Sequence, residues 1–173
     1  MKITVFGAGY VGLVSAACLA ELGHEVACVD VDAAKVAAIQ SGRAPIFEPG
    51  LEALIRKGQA EGRFRATADA SEALEGAEVS LIAVGTPDRE GRIDLRYVLG
   101  VAEQIGAHLR DREGFHTVVV KSTVVPGTTL GPVREALERR SGKQAGLDFG
   151  LGMNPEFLRE GSAVQDFADP DRV

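Results

Sequence analysis

Three glycines stand at the spacing G-x-G-x-x-G, namely Gly7, Gly9 and Gly12, and an acid, Asp30, follows eighteen residues after the last. Each residue type has a physical use. Gly7 permits a tight turn out of a strand, Gly9 lets the backbone approach a pyrophosphate, and Gly12 lets a helix pack closely on the strand. The start of that helix offers unpaired N–H groups and the positive end of its dipole, which suits phosphate. Asp30 can accept hydrogen bonds from both hydroxyls of a ribose, and its charge would repel a 2′-phosphate. No Arg follows it directly, so the pattern points to NAD over NADP; Lys35 is the nearest cation.

Three other clusters carry polar groups. Gly85-Thr86-Pro87 offers a hydroxyl that either meets the cofactor or belongs to a plain turn. Lys121-Ser122-Thr123 offers hydroxyls for a ligand or for capping the helix after Gly127. Asn154-Pro155-Glu156, with Glu160 four residues on, offers carboxylates that either position a water or act as a base, or form a solvated acidic turn.

The elements that position these residues are legible from periodicity. Apolar runs at 3–6, 25–29, 64–67, 79–84, 117–121 and 149–153 read as strands, most of them buried on both faces. Helices are expected over 11–22, 33–40, 51–61, 94–109 and 130–140, with a short one to Leu74 opened by an Asp69/Glu72 capping box. Asp94 is the expected cap of the long helix, and residues 88–92 are expected to be a mobile surface loop. Residues 162–173 read as a short helix, a turn at Asp169-Pro170, and the first residues of another strand. Alternating strand and helix specify an α/β fold, a doubly wound parallel sheet of the Rossmann type. Ligands of such sheets lie outside the carboxyl ends of the strands, and every cluster above falls at such an end.

Composition narrows the function. The 173 residues carry a net charge of −6 and a pI of about 5.1. Nucleic-acid binding needs clustered Lys and Arg, so it is not expected. No apolar run approaches the roughly 20 residues that cross a bilayer, so no membrane partner is expected. The N-terminus lacks a basic segment and cleavage site, and the expected location is the cytoplasm. Cys18 and Cys28 have apolar neighbours and read as buried thiols; no metal site is expected.

GAGYVGL, VDVD, PIFEPGLEALI, VGTP, KSTVVPGTT, NPEFLREGSAVQDF and PDRV together resemble the amino-terminal domain of the nucleotide-sugar dehydrogenases. That family oxidises UDP-glucose to UDP-glucuronate or GDP-mannose to GDP-mannuronate, feeding polysaccharide biosynthesis. The resemblance covers essentially the whole chain, read as one NAD-binding domain over 1–173. It implies NAD held by Gly7, Gly9, Tyr10, Val11, Gly12, Asp30, Lys35, Thr86, Thr123 and Glu160. It implies nucleotide-sugar contacts from Glu156, Phe157, Leu158, Arg159 and Glu160, with Thr123 and Glu156 handling protons and a water. The reaction implied is two hydride transfers to NAD, alcohol to aldehyde to acid, through a cysteine adduct. The cysteine, a lysine and an asparagine come from a second domain beyond a linking helix, so this chain is expected to be a fragment without turnover of its own. The whole enzyme is expected to be a homodimer or higher.

KSTVVPGTT and SGKQAGLDFG are similar to the GDP-mannose enzymes, whereas NPEFLREGSAVQDF with PDRV is similar to the UDP-glucose enzymes. UDP-glucose is the substrate expected from the motifs, and GDP-mannose is the alternative. A non-catalytic NAD-binding module is a further alternative, with no need of Glu156 and Thr123 near a nicotinamide. A dehydrogenase of small hydroxy acids would have no use for PIFEPGL.

Overall fold

The structure, a computed structural model, describes residues 1–170. The strands are β1 (Lys2–Phe6), β2 (Glu25–Val29), β3 (Phe64–Thr67), β4 (Val79–Ile82), the short pair β5 (Asp88–Arg89) and β6 (Arg92–Ile93), β7 (Thr117–Val120) and β8 (Gly150–Met153). The helices are α1 (Tyr10–Glu21), α2 (Ala33–Gln40), α3 (Leu51–Ala60), α4 (Ala70–Leu74), α5 (Arg96–Arg110), α6 (Arg134–Ser141) and α7 (Ala163–Ala168). Six strands form one sheet in the order β3-β2-β1-β4-β7-β8, every pairing parallel. The order reverses between β1 and β4, and a crevice opens at such a switch point.

Both faces of the sheet are buried, which is why its strands read as nearly continuous apolar runs. Ile3 and Val5 join Leu13, Val14, Ile39, Leu51 and Ile55 on the face covered by α1, α2 and α3. Phe6, Ile82, Val118 and Val120 join Val98, Ile105, Leu109 and Leu137 on the face covered by α5 and α6. α1 has no polar side, because it is wedged between the sheet and α3; eight of its residues are buried. A Cβ on Gly12 would fall 1.9 Å from the carbonyl oxygen of Gly7, so the helix approaches the strand as no other residue would allow. Cys18 and Cys28 are buried free thiols, and burial pushes each up to about 12.

Four expectations are corrected. Residues 88–93 form an exposed antiparallel hairpin where an irregular loop was expected: Glu90 (φ 54°) and Gly91 (φ 76°) make a two-residue turn with both φ positive. The capping box is half made, for Asp69 accepts the Ser71 and Glu72 N–H groups while the Glu72 carboxylate turns to Arg65 and Thr67. The helix expected over 130–140 is broken. A wide turn at Thr129–Val133 contains Gly131 (φ −104°, ψ −106°) and Pro132, and α6 starts only at Arg134. Asp94 accepts the Arg96 N–H but stands one residue ahead of the α5 cap position, which Leu95 occupies. The strand expected at the end of the chain, with the last residues of PDRV, lies outside the described residues.

His116 precedes β7 and is fully buried. Its Nδ1 is 2.9 Å from the Ala77 carbonyl, which can only accept, so Nδ1 carries the proton and Nε2 accepts the Ser80 hydroxyl at 2.9 Å. Burial lowers its pKa to about 4 from an ordinary 6.5.

Two outcomes are expected. Gly12→Ala should cost about 3 kcal/mol through overpacking against backbone, and an unchanged urea midpoint would contradict the close approach. Above pH 6.5 His116 is neutral both folded and unfolded. Between 6.5 and 4 only the unfolded chain takes up the proton, so stability should fall with acidification by up to about 3 kcal/mol. Denaturant midpoints across that window should fall less steeply for His116→Gln; parallel curves would refute the assignment.

Candidate functional site

The glycine loop and Asp30 form the first part of the site. Gly7 has a φ of +105°, and its N–H donates to the Val29 carbonyl at 2.7 Å. The first hydrogen bond within α1 runs from the Leu13 N–H to the Gly9 carbonyl (2.9 Å), so the N–H groups of Tyr10, Val11 and Gly12 precede the helix ladder. Gly9 differs from its two partners: a Cβ there would meet no atom within 4 Å. Folding therefore does not require glycine at position 9, whereas close approach of a phosphate to the backbone would.

Asp30 directly follows β2 and fastens the loop. Its Oδ2 accepts the Ala8 N–H at 2.7 Å and its Oδ1 accepts the Asp32 N–H at 2.9 Å. Lys35, in the first turn of α2, brings Nζ to 3.9 Å from Asp30 Oδ2. The glycine loop after β1 is thus tied to the end of β2 through Asp30, with Lys35 alongside.

The second part spans the ends of β4, β7 and β8. The Thr86 hydroxyl donates to the Thr123 carbonyl at 2.8 Å. Ser122 does not cap a helix: its hydroxyl donates to the Val84 carbonyl at 2.7 Å, sewing the ends of β4 and β7 together. Val120 and Met153 are paired across β7 and β8, and Thr123 and Glu156 each lie three residues beyond that pair. Thr123 is exposed and Glu156 half-buried, and no hydrogen bond joins them among the described residues. Glu156 Oε2 accepts the Leu158 N–H at 2.8 Å.

Residues 154–159 line a cavity of about 250 Å³ together with Lys121, Asp166, Phe167 and Pro170. Phe157 is exposed at its rim, and Leu158 packs against the core. Arg159 pairs with Asp166 in bidentate fashion, at 2.6 Å (Nη2–Oδ1) and 3.1 Å (Nε–Oδ2), and this pairing holds Asp166 well below the usual carboxylate range. Glu160 is exposed beside Tyr10, whose hydroxyl its charge helps to keep protonated. A larger groove, about 1380 Å³, lies between α4 and α5, away from every strand-end motif.

Two residues were missed in the sequence. Lys121 is 7% exposed and donates to Asn154 Oδ1 at 2.8 Å. Burial lowers its pKa, partly offset by the charge of Glu156. A lysine directly continuing the apolar run Val118-Val119-Val120 was the available signal. Glu48, within PIFEPGL, is 6% exposed; its Oε2 accepts the Tyr10 hydroxyl and the Gly161 N–H, the latter at 2.8 Å. Burial would raise its pKa, but the donors from Tyr10, Gly161, Val164 and Ala163 outweigh that and hold it below its ordinary value. The Tyr10 hydroxyl is raised to about 12, by burial and then by its bond to Glu48.

The site has close relatives. Residues 1–173 match the model of the UDP-glucose/GDP-mannose dehydrogenase family, NAD binding domain. A GDP-mannose 6-dehydrogenase of Pseudomonas putida is 51% identical over 171 residues, 98% of this chain and 39% of that protein. A UDP-glucose 6-dehydrogenase of Rhizobium meliloti is 49% identical over 175 residues, 100% of this chain and 38% of that protein. Among solved structures, a ternary complex of GDP-mannose dehydrogenase from Pseudomonas aeruginosa superposes with a TM-score of 0.95 at 49% identity. The match covers 96% of this chain and 38% of the other. The chain thus spans less than two-fifths of the length of these relatives. With a parallel sheet in this strand order, a glycine loop fastened by Asp30 and a family match over its whole length, the chain belongs to the UDP-glucose/GDP-mannose dehydrogenase family, as an NAD-binding domain.

Proposed function

We propose that this domain presents NAD to a nucleotide sugar, and that the protein it serves oxidises the sugar's primary alcohol to an acid in two hydride transfers. One observation carries the cofactor half of this reading. Gly9 is a glycine that no protein contact demands, at the mouth of a helix whose first N–H groups precede the helix ladder. The residues proposed to hold NAD are Gly7, Gly9, Tyr10, Val11, Gly12, Asp30, Lys35, Thr86, Thr123 and Glu160. Asp30 would serve twice, orienting the loop through Ala8 and taking the ribose hydroxyls on its remaining lone pairs.

The sugar half rests on residues 154–160. Glu156, Phe157, Leu158, Arg159 and Glu160 form the proposed contact stretch, and the first four line the cavity beside Lys121. Glu156 is proposed to accept the proton of a water attacking the oxidised carbon, and Thr123 to share the handling of that water and its protons. Alcohol oxidation releases a hydride to the cofactor's nicotinamide and a proton from the hydroxyl. The resulting aldehyde would be held as a thiohemiacetal by a cysteine from outside this chain; its oxidation to a thioester would give up the second hydride, and hydrolysis would leave a carboxylate and the free thiol. Lys121 lines the same cavity as Glu156 and lies within electrostatic reach of it.

GDP-mannose is the substrate we favour, because the likeness to GDP-mannose dehydrogenases is high in both sequence and fold. The motif run NPEFLREGSAVQDF keeps UDP-glucose as the second reading. The test follows NADH absorbance with each sugar, for the 173-residue chain and for the complete gene product. The chain alone should bind NAD⁺ and turn over neither sugar. The complete protein should yield two NADH per GDP-mannose and far less with UDP-glucose. The opposite preference selects the second reading, and NAD⁺ binding without NADH from either sugar refutes both.

Gly9→Ala separates ligand from fold. Its denaturation midpoint should match that of the parent chain, while NAD⁺ affinity measured by calorimetry should fall by about tenfold, or 1.4 kcal/mol. Retained affinity would remove the main support for a pyrophosphate at this loop.

A further inference from the structure

Glu48 belongs to the loop between α2 and α3, neither a strand end nor part of the glycine loop, yet it meets both halves of the site. Its Oε2 receives the Tyr10 hydroxyl and, at 2.8 Å, the Gly161 N–H; its Oε1 faces the Val164 N–H at 3.4 Å. The Gly161 N–H is shared, lying 2.9 Å from the Tyr10 oxygen as well. Tyr10 is the first residue of α1 and follows Gly9, whereas Gly161 lies two residues past the stretch 154–159 that lines the cavity. Gly161 has a φ of +90°, a conformation that presents its N–H to this node and that other residues rarely adopt.

A carboxylate that is 6% exposed is costly to bury unless its charge is met. No Lys or Arg forms an ion pair with Glu48 among the described residues. Its charge is met instead by donors drawn from two segments far apart in the chain, residue 10 and residues 161–164. A residue needed only to close its own loop would find donors within that loop. Glu48 reaches 113 positions along the chain for one of them.

We infer that Glu48 is a positioning residue: with Tyr10 it holds residues 154–161 against the first turn of α1, so that the dinucleotide loop and the sugar-contact loop move as one body. The inference rests on the reading of those two loops as the cofactor and sugar subsites. It gives PIFEPGL a physical task, since Glu48 can reach both partners only if its loop is held out over α1. It also accounts for Tyr10 at a position whose backbone alone would suffice for phosphate.

Glu48→Gln keeps the shape but replaces one acceptor oxygen with a donor, leaving either Val164 or the Tyr10–Gly161 pair facing N–H against N–H or O–H. Tyr10→Phe removes the hydroxyl alone. In the ligand-free chain, amide exchange at Gly161 and Val164 should accelerate by about tenfold or more in Glu48→Gln, with β1 and α5 unchanged. Unchanged exchange at those two amides overturns the inference whether or not the chain binds NAD⁺.

Calorimetric titration with NAD⁺ supplies the second readout. Each single variant should lose about tenfold in affinity, and the double variant should lose no more than Glu48→Gln alone, as expected of residues acting as one unit. Faster exchange with parental NAD⁺ affinity would show a purely structural anchor and overturn the positioning role, as would fully additive losses. A parent chain that fails to bind NAD⁺ would sink the cofactor reading and this second readout with it, leaving the exchange result to decide whether the node holds the two loops.

Discussion

The approach of α1 to β1 is the constraint on which the site depends. Helix and strand meet where Gly12 faces the Gly7 carbonyl at a separation that leaves no room for a single methyl group. That contact fixes the height of the helix start above the sheet, and hence the plane in which its unpaired N–H groups lie. Gly7 contributes from the other side, since a Cβ there would fall 2.5 Å from the Ala83 carbonyl oxygen at the end of β4. Two glycines therefore press α1, β1 and β4 together at the switch point of the sheet, and the third, free of such contacts, stands at the opening they define.

Around this point the strand ends are tied by polar groups that have left water. Asp30 joins β2 to the glycine loop, Ser122 joins β7 to β4, Lys121 joins β7 to the segment after β8, and Glu48 joins that segment to α1. A buried polar group without a partner costs more than a made hydrogen bond contributes. Each tie is therefore weakly stabilising when intact and strongly penalised when half removed. The apolar core sets which elements stack; these ties set where the loops above the core come to rest.

The fold was legible because its signals are local and repeated. Apolar runs, glycine stops and an acid at a fixed distance each constrain a few residues, and all agree on one topology. The hairpin at 88–93 was missed because its turn uses Glu90 where Asn or Asp would have announced positive φ. The break at Gly131-Pro132 was missed because the apolar spacing on either side still matches a helix. In the candidate site, the strand-end positions could be read from spacing, but the contacts of Glu48 and Lys121 could not. Their importance lies in partners 113 and 33 positions away, and no local pattern encodes a contact of that range. The motif PIFEPGL carried the resemblance to a family without disclosing which of its residues mattered or why.

Arg159 illustrates how a resemblance and a geometry divide the same residue. The resemblance places it among the contacts of a nucleotide sugar, where a guanidinium invites a diphosphate. Here its fork is closed on Asp166, and its backbone N–H donates to the same carboxylate at 3.1 Å. The Ser162 hydroxyl joins them at 3.1 Å, so α7 is moored to the loop through one acid. A phosphate drawing Arg159 away would leave Asp166 facing the remaining donors with its charge less well met, which opposes the exchange. The pair thus acts first on the loop's shape. It complements the Glu48 node, which grips the loop from its other side at Gly161, and between the two anchors the main chain of residues 156–160 is held as the lip of the cavity.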